Sequence, residues 1–491
     1  MARLYGITVV GEFALAGAPA GTVWLLSTVR EQPALMRKLT PLRARDARVT
    51  GLFAAVLAFS FLLTATVSVC VGVAAWVLFR GPIGRPDLVA PAEAMLLGSL
   101  LFQNTCWNLD TVLSAFRAGP PLFWSRFHQA LAYLLAAIAL SPTLPTVWGL
   151  ILAWYGSWAT ALVQRTIHIR AFMRLRVPAE ELRRGMRTLP ELLRFGIRLT
   201  PGFLAEGLSD ESGVWILGLL TPIQALGAYS RGWMIARRGL DLNYRITEML
   251  FPTLVERRLA GDRAGFDRAL VDSLRYVAVA MLLPAAVAAG AAAPIMSIYG
   301  PGFARGAGCF AFLVFVPGIM TLSAIQSHAL FAEGRGLLSS LYGVVRLLST
   351  LLATVLLTRA YSLSGAGAGM TIGACAQLAP LGARLPRLLS QALRQLWPAR
   401  EMLALAGAGA AGFALSRAIS VELPRLPALV LAPTAGLLAA ALVFLALGGP
   451  QQRDRERARR LARSLRASLR RRVASQTLLR TDPDRASRRL S

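Results

Sequence analysis

The sequence predicts an all-α polytopic membrane protein. Two observations carry this. Of the 491 residues 55% are hydrophobic, with a mean hydropathy of +0.54. Apolar runs of roughly 20 residues, the length that crosses a bilayer, recur along the chain, separated by short connections carrying Arg, Pro and Gly. A third observation constrains what the charge is for. The net charge is +28, but the arginines sit mostly between apolar runs, as membrane topology requires. No basic stripe lies on a soluble domain, which argues against nucleic acid as a partner.

Taken in order, hydropathy places helices near residues 7–28, 51–79, 92–117, 121–140, 144–166, 190–220, 222–250, 270–298, 306–332, 337–358, 364–389, 400–418 and 427–447. The connections alternate in character. "REQPALMRKLTPLRARDAR", "RTIHIRAFMRLRVPAEELRRGMR", "VERRLAGDRAGFDR" and "RLPRLLSQALRQLWPAR" are Arg-rich, whereas "SPTLPT", "LLTPIQAL" and "YSLSG" are uncharged. The positive-inside rule puts the first set in the cytoplasm. The tail from Gln451 carries fourteen arginines against four acids, so the C-terminus is expected inside too. Thirteen helices then place Met1 outside, and the expectation is that a first helix is missing and the complete protein has fourteen.

The four cysteines (Cys70, Cys106, Cys309, Cys375) stand singly, without metal or disulfide spacing, and the three histidines are scattered. No metal or organic cofactor is expected. The first apolar run lacks the basic start and small-residue cleavage site of a signal peptide.

The chain repeats itself weakly. "VGEFALAG" around Gly11 is similar to "LGAYSRGW" around Gly227, an offset of 216; "SAFRAG" ending at Gly119 is similar to "LFAEG" ending at Gly334, an offset of 215, with Phe116 matched to Phe331. Six helix steps separate Gly11 from Gly227, so the copies have parallel topology, with a site expected at their interface. The expected organisation is an N-terminal lobe (1–170), a cytoplasmic amphipathic linker (171–189), a C-terminal lobe (190–390), two extra helices (391–450) and a basic cytoplasmic tail (451–491).

At these segments the chain resembles a known group. "LYGITVVGEFALAGA" resembles the opening of the second helix of polysaccharide transporters (oligosaccharide flippases) in the multidrug/oligosaccharidyl-lipid/polysaccharide exporter superfamily. "ALGAYSRGWMIARR" resembles its counterpart in the eighth helix, and residues 294–335 resemble the ninth-to-tenth region. The resemblance implies two six-helix lobes in a V around a central cavity, with two C-terminal helices. It also implies transfer of a polyprenyl-pyrophosphate-linked oligosaccharide across the cytoplasmic membrane by alternating access, drawing on an ion gradient or the membrane potential.

Charged residues inside apolar segments are the candidate site. In "YSRGWMIARRGLDLNYRITEML", Arg231, Arg238, Asp241, Arg245 and Glu248 are spaced 7, 3, 4 and 3, one stripe of a helix. Such a stripe cannot face lipid at mid-membrane, where each charge costs about 2.5–3.5 kcal/mol. Its arginines are candidate ligands of the carrier pyrophosphate; the bland alternative is a set of i,i+3 and i,i+4 ion pairs. A voltage sensor would lack the interspersed acids. Arg346, mid-way along "LLSSLYGVVRLLSTLLATVLL" with Tyr342 and Thr350 a turn to either side, is a further headgroup candidate or a partner for an acid on the next helix. Glu206 and Asp210, i,i+4 in "LTPGFLAEGLSDESGVWILGLL" beside Glu211, are candidates for coupling or for balancing the arginines, as are Asp241 and Glu248. Asn104, Asn108 and Asp110 are weaker sugar-contact candidates, with Glu12 and Thr111 in the same lobe; Arg126 and His128 are expected to anchor headgroups.

The basic stretch 456–473, with Leu461, Leu465 and Leu469 at i,i+4, has the pattern of an interfacial helix attracted to anionic lipid, with assembly proteins as a second partner class. Three other functions compete. A multidrug and toxin extrusion antiporter would want an acidic cavity. A membrane polysaccharide polymerase or ligase would carry a large external loop with catalytic Arg and His. A scaffold without transport is the third.

Overall fold

A computed structural model describes residues 2–174, 179–197, 200–390, 397–451, 454 and 456; the side chains of residues 195, 242, 244, 245, 247–249 and 336 lie outside it. No strand occurs among the described residues, and helix covers each of the thirteen expected segments. The basic stretch 456–473 lies outside the described residues apart from Glu456.

The first group of helices comprises α1 (Ala2–Leu26), α2 (Glu31–Leu39), α3 (Ala47–Arg80), α4 (Val89–Gly98), α5 (Asn104–Ala115), α6 (Gly119–Leu140), α7 (Val147–Ile169) and α8 (Ala179–Ile197). A π turn, Ser99–Gln103, joins α4 to α5 without a break. The second group is α9 (Thr200–Leu220), α10 (Ile223–Arg237), α11 (Gly239–Leu259), α12 (Arg263–Val277), α13 (Leu283–Gly290), α14 (Ala292–Ser297), α15 (Ala307–Leu313), α16 (Val316–Ala332) and α17 (Gly336–Leu388). Tyr361 and Ser362 leave helical geometry and divide α17 into an antiparallel pair. There Gly369 and Gly373 leave room for Thr354 and Thr350 of the first half, the small-residue contact by which helices associate in lipid. A final hairpin, α18 (Ala399–Glu422) with α19 (Arg425–Ala446), packs on α13.

The molecule is inside-out relative to a soluble protein. Leu62, Val69, Phe123, Leu135, Leu438 and Leu442 are all more than half exposed on helix faces, while Asn108, Arg165, Asp267 and Arg346 are buried. An apolar belt of this extent faces hydrocarbon. Seven described helices are long and apolar enough to cross a bilayer by length and composition alone, and one of these is the divided α17.

α8 runs against α3, its Gly185 set against Gly51, and α9 is described from Thr200, residues 198–199 lying outside the described residues. One detail departs from the expected segments. The run 222–250 is divided at Arg238, where α10 ends and α11 begins.

The two groups meet at α1 and α10. A Cβ on Gly11 would collide with the Ile223 carbonyl, and one on Gly227 would collide with the Ile7 carbonyl. Ile7 and Ile223 are 216 residues apart, as are Gly11 and Gly227, and so are Thr8 and Gln224, whose side chains meet at 3.5 Å. Equivalent residues touch each other only on a two-fold axis, so the first repeat match marks that axis. The second match needs a correction. Arg117 and Gly334 both adopt left-handed backbone. Each is followed by the same closing hydrogen bond, Ala118 N to Leu113 O at 2.9 Å and Arg335 N to Leu330 O at 2.8 Å. The structural offset there is therefore 217, and Phe116 does not correspond to Phe331.

Candidate functional site

The α9 helix brings three acids toward the contact between the groups. Glu206 and Asp210 share a face by their four-residue spacing. Arg346, 1% exposed on the first half of α17, donates from Nη2 to Asp210 Oδ1 at 2.5 Å and lies 3.3 Å from the Met320 sulfur. Its Nε and Nη1 have no hydrogen-bond partner among the described residues. A buried guanidinium spent on a neighbouring carboxylate is a structural ion pair. Arg346 and Asp210 balance each other's charge, the pairing with an acid on the next helix that the sequence offers as the alternative reading.

Glu206 differs. Its side chain is exposed on α9 and makes no ion pair among the described residues. Its nearest polar neighbour is Gln377, with Nε2 3.5 Å from Oε1. Glu211 lies against α1, where a Cβ on Gly21 would stand 2.9 Å from its Oε2.

Three residues of the stripe on α10 and α11 have described side chains. Arg238 and Asp241 are largely exposed and form a loose i,i+3 pair at 3.9 Å; the side chains of Arg245 and Glu248 lie outside the described residues. Arg231 alone is half-buried, flanked by Tyr133 of α6 and Tyr299 beyond α14. It makes no ion pair among the described residues; Nη1 touches the Met234 sulfur at 3.6 Å and Nε has no partner. It is set between the two groups of helices, with its charge unspent.

Sequence reasoning missed Arg30. The α1–α2 connection is a tight break in which Arg30 takes left-handed backbone (φ 57). Its guanidinium stacks on the Phe203 ring of α9, 4.4 Å from the centroid, with Trp24 beside the same ring at 5.9 Å. A cation on an aromatic face across the two groups is a contact that ties them together. The signal in the sequence is an arginine directly after an apolar run, which reads as a cytoplasmic loop.

The first-group candidates serve packing. Ser60 donates to Asn104 Oδ1 at 2.6 Å, and Asn108 Nδ2 donates to the Asn104 carbonyl at 2.9 Å. The Ser60–Asn104 contact joins α3 to α5, while Asn104 Nδ2 and Asn108 Oδ1 have no hydrogen-bond partner among the described residues. Asp110 accepts from Arg165 at 2.5 and 3.1 Å, with Arg126 3.7 Å away; it too is a structural acid. Glu12 pairs with Arg85 at 2.7 Å, and His128 with Gln164.

Solved structures share this architecture. A multidrug resistance MATE family transporter in an inward-facing conformation superposes with a TM-score of 0.63 at 15% identity, over 79% of this chain and 95% of that one. The lipid II flippase MurJ, inward closed, superposes with a TM-score of 0.61 at 10% identity, over 91% and 96%. The chain has the fold of the multidrug/oligosaccharidyl-lipid/polysaccharide exporters. A eukaryotic MATE transporter, AtDTX14, is similar with a TM-score of 0.52 at 17% identity, over 82% and 88%. No protein-family model and no curated protein matches the chain.

Proposed function

We propose that this multi-pass membrane protein is a flippase that carries a polyprenyl-pyrophosphate-linked oligosaccharide from the inner to the outer leaflet of the cytoplasmic membrane by alternating access. The observation that carries the reading is Arg231, a half-buried guanidinium between the two helix groups with no acid partner among the described residues. An unpaired cation in a poorly solvated space is costly unless an anion joins it. A pyrophosphate supplies that anion in bidentate geometry. Of the acids nearby, Asp210 is neutralised by Arg346.

The likeness to MurJ extends over more of this chain than the likeness to the MATE transporter (91% against 79%), which supports a lipid-linked substrate over a soluble drug. No step of covalent chemistry is required. The α1–α10 axis provides the pivot, and Arg30 on Phe203 closes one end.

The test is mass spectrometry of lipid-linked oligosaccharides in a strain lacking the gene, with leaflet pools separated by an impermeant label. A completed oligosaccharide accumulating on the inner leaflet supports the reading and names the sugar. An unchanged inner pool, with unpolymerised units outside, points to an enzyme instead.

A further inference from the structure

The segment that joins the two helix groups carries a surface that the substrate argument does not use. α8 follows α7 of the first group and precedes α9 of the second, and its side chains sort by direction at about 100° per residue. Gly185, Leu189, Leu192 and Gly196 face protein. A Cβ on Gly185 would collide with the Gly51 carbonyl of α3, and one on Gly196 would collide with the Val29 carbonyl. Leu189 and Leu192 are buried in a cluster with residues of α2, α3 and α5. The helix is therefore fixed to the first group along its length.

Beside this face runs an exposed apolar row, Leu182, Met186 and Ile197 at 36%, 46% and 55% exposure, with Pro190 exposed among them. Beyond it comes a row of arginines, Arg183, Arg187 and Arg194. All three are exposed and make no hydrogen bond or ion pair among the described residues. The far side holds acids that are already paired, Glu180 with Arg184 at 2.5 Å and Glu191 with Lys38 at 2.7 Å.

The order around the helix is what a membrane surface demands. Apolar side chains next to the protein face reach the acyl region, and guanidinium groups one row further out lie at the level of the phosphates. Paired charges then face water. The segment belongs to the Arg-rich connections, which the positive-inside rule puts at the cytoplasmic leaflet, where anionic lipids attract basic segments. The row is too narrow for a docked protein, since a standard interface takes about 20–30 residues a side.

We propose that α8 is an anionic-phospholipid site, with Arg183, Arg187 and Arg194 holding headgroup phosphates while Leu182, Met186 and Ile197 lie among the acyl chains. Because α8 is fixed to the first group and α9 begins the second, bound lipid holds the first group at the membrane surface and leaves the second free to move against it. The proposal is independent of the substrate reading.

The test is hydrogen–deuterium exchange of the full-length protein in nanodiscs of phosphatidylcholine, with or without phosphatidylglycerol, read on peptides within residues 179–197. These peptides separate α8 from the basic tail. With phosphatidylglycerol the α8 amides are expected to exchange about tenfold or more slowly, since each arginine at an anionic surface contributes about a factor of five. The difference is expected to vanish in the triple variant Arg183→Gln/Arg187→Gln/Arg194→Gln and to persist in Arg184→Gln, on the far side. Exchange independent of phosphatidylglycerol would overturn the site, as would a lipid effect that survives in the triple variant. Protection that appears only when a second protein is added would assign the surface to that protein and overturn the lipid site too. If the triple variant does not fold, high salt on the wild type decides: screening removes the difference if the arginines carry it, and a difference that persists overturns the proposal.

Discussion

Arg346 and Arg231 are both arginines inside apolar helices, and the structure separates their roles by what each touches. Arg346 is sealed against Asp210, so cutting either partner leaves an unpaired charge, an effect of about 3–5 kcal/mol in buried pairs. Arg346→Met alone and Asp210→Leu alone are each expected to lower the Tm strongly, while the double variant recovers much of the loss; thermal unfolding of the three checks this. Arg231→Gln is expected to leave Tm near the wild-type value, because no ion pair is broken among the described residues, and to lower transport about tenfold or more, the size of a lost charge-assisted hydrogen bond of ~1.5–3 kcal/mol. The sequence shows that both arginines lie at a costly depth. It does not show that Asp210, 136 residues away, takes one of them, since that depends on which face of α9 meets α17. The contact of Asn104 and Asn108 with Ser60 is hidden for the same reason, Ser60 being on another helix.

At the scale of elements, helix positions are legible because a bilayer demands long apolar runs, and every expected segment falls on helix. The kink at Tyr361 falls in the connection "YSLSG" that the sequence marks, but the division at Arg238 and the π turn at Ser99–Gln103 are not legible, since they lie inside uninterrupted apolar or mixed stretches. The Gly11 and Gly227 match was visible because close backbone approach admits only glycine at both positions. Gly11→Val or Gly227→Val is expected to force α1 and α10 apart, costing about 1–3 kcal/mol by overpacking; a Tm within a degree of wild type would show that the contact is loose. The shift of the second match from 215 to 217 shows the limit of short motifs, since hydrogen-bonded turns align where letters do not.

Asp454, beyond the last membrane-spanning helix, ties the start of the tail to α12 and α18. Asp454 accepts from Arg275 at 2.7 Å and from the Tyr276 hydroxyl at 2.7 Å, and Arg275 also meets Glu401 at 2.8 Å. Burial alone would raise the Asp454 carboxyl, but the Tyr276 hydrogen bond and the charge of Arg275 outweigh it and hold it below its ordinary value. A depressed carboxylate stabilises the folded contact above its unfolded pKa, about 4, and that stabilisation fades as pH falls through the lower folded value. Protease cleavage just after Asp454 is therefore expected to stay slow from neutral pH down to about 4 and to quicken below it in an acid-active protease assay; Asp454→Asn should cleave fast at every pH.

For the whole molecule, the fold follows from composition and apolar periodicity, whereas the cargo depends on a few polar groups between two helix groups. The account requires that an anionic headgroup meet Arg231 as the groups rock about the α1–α10 axis. The most direct measurement is transfer of a short-chain polyprenyl-pyrophosphate oligosaccharide across liposomes containing the purified protein, followed by an impermeant label, for wild type and Arg231→Gln. The account predicts transfer by the wild type and a loss of about tenfold or more in the variant at equal protein incorporation. Equal transfer by both proteins, or transfer of an uncharged glycolipid at the same rate, would contradict it.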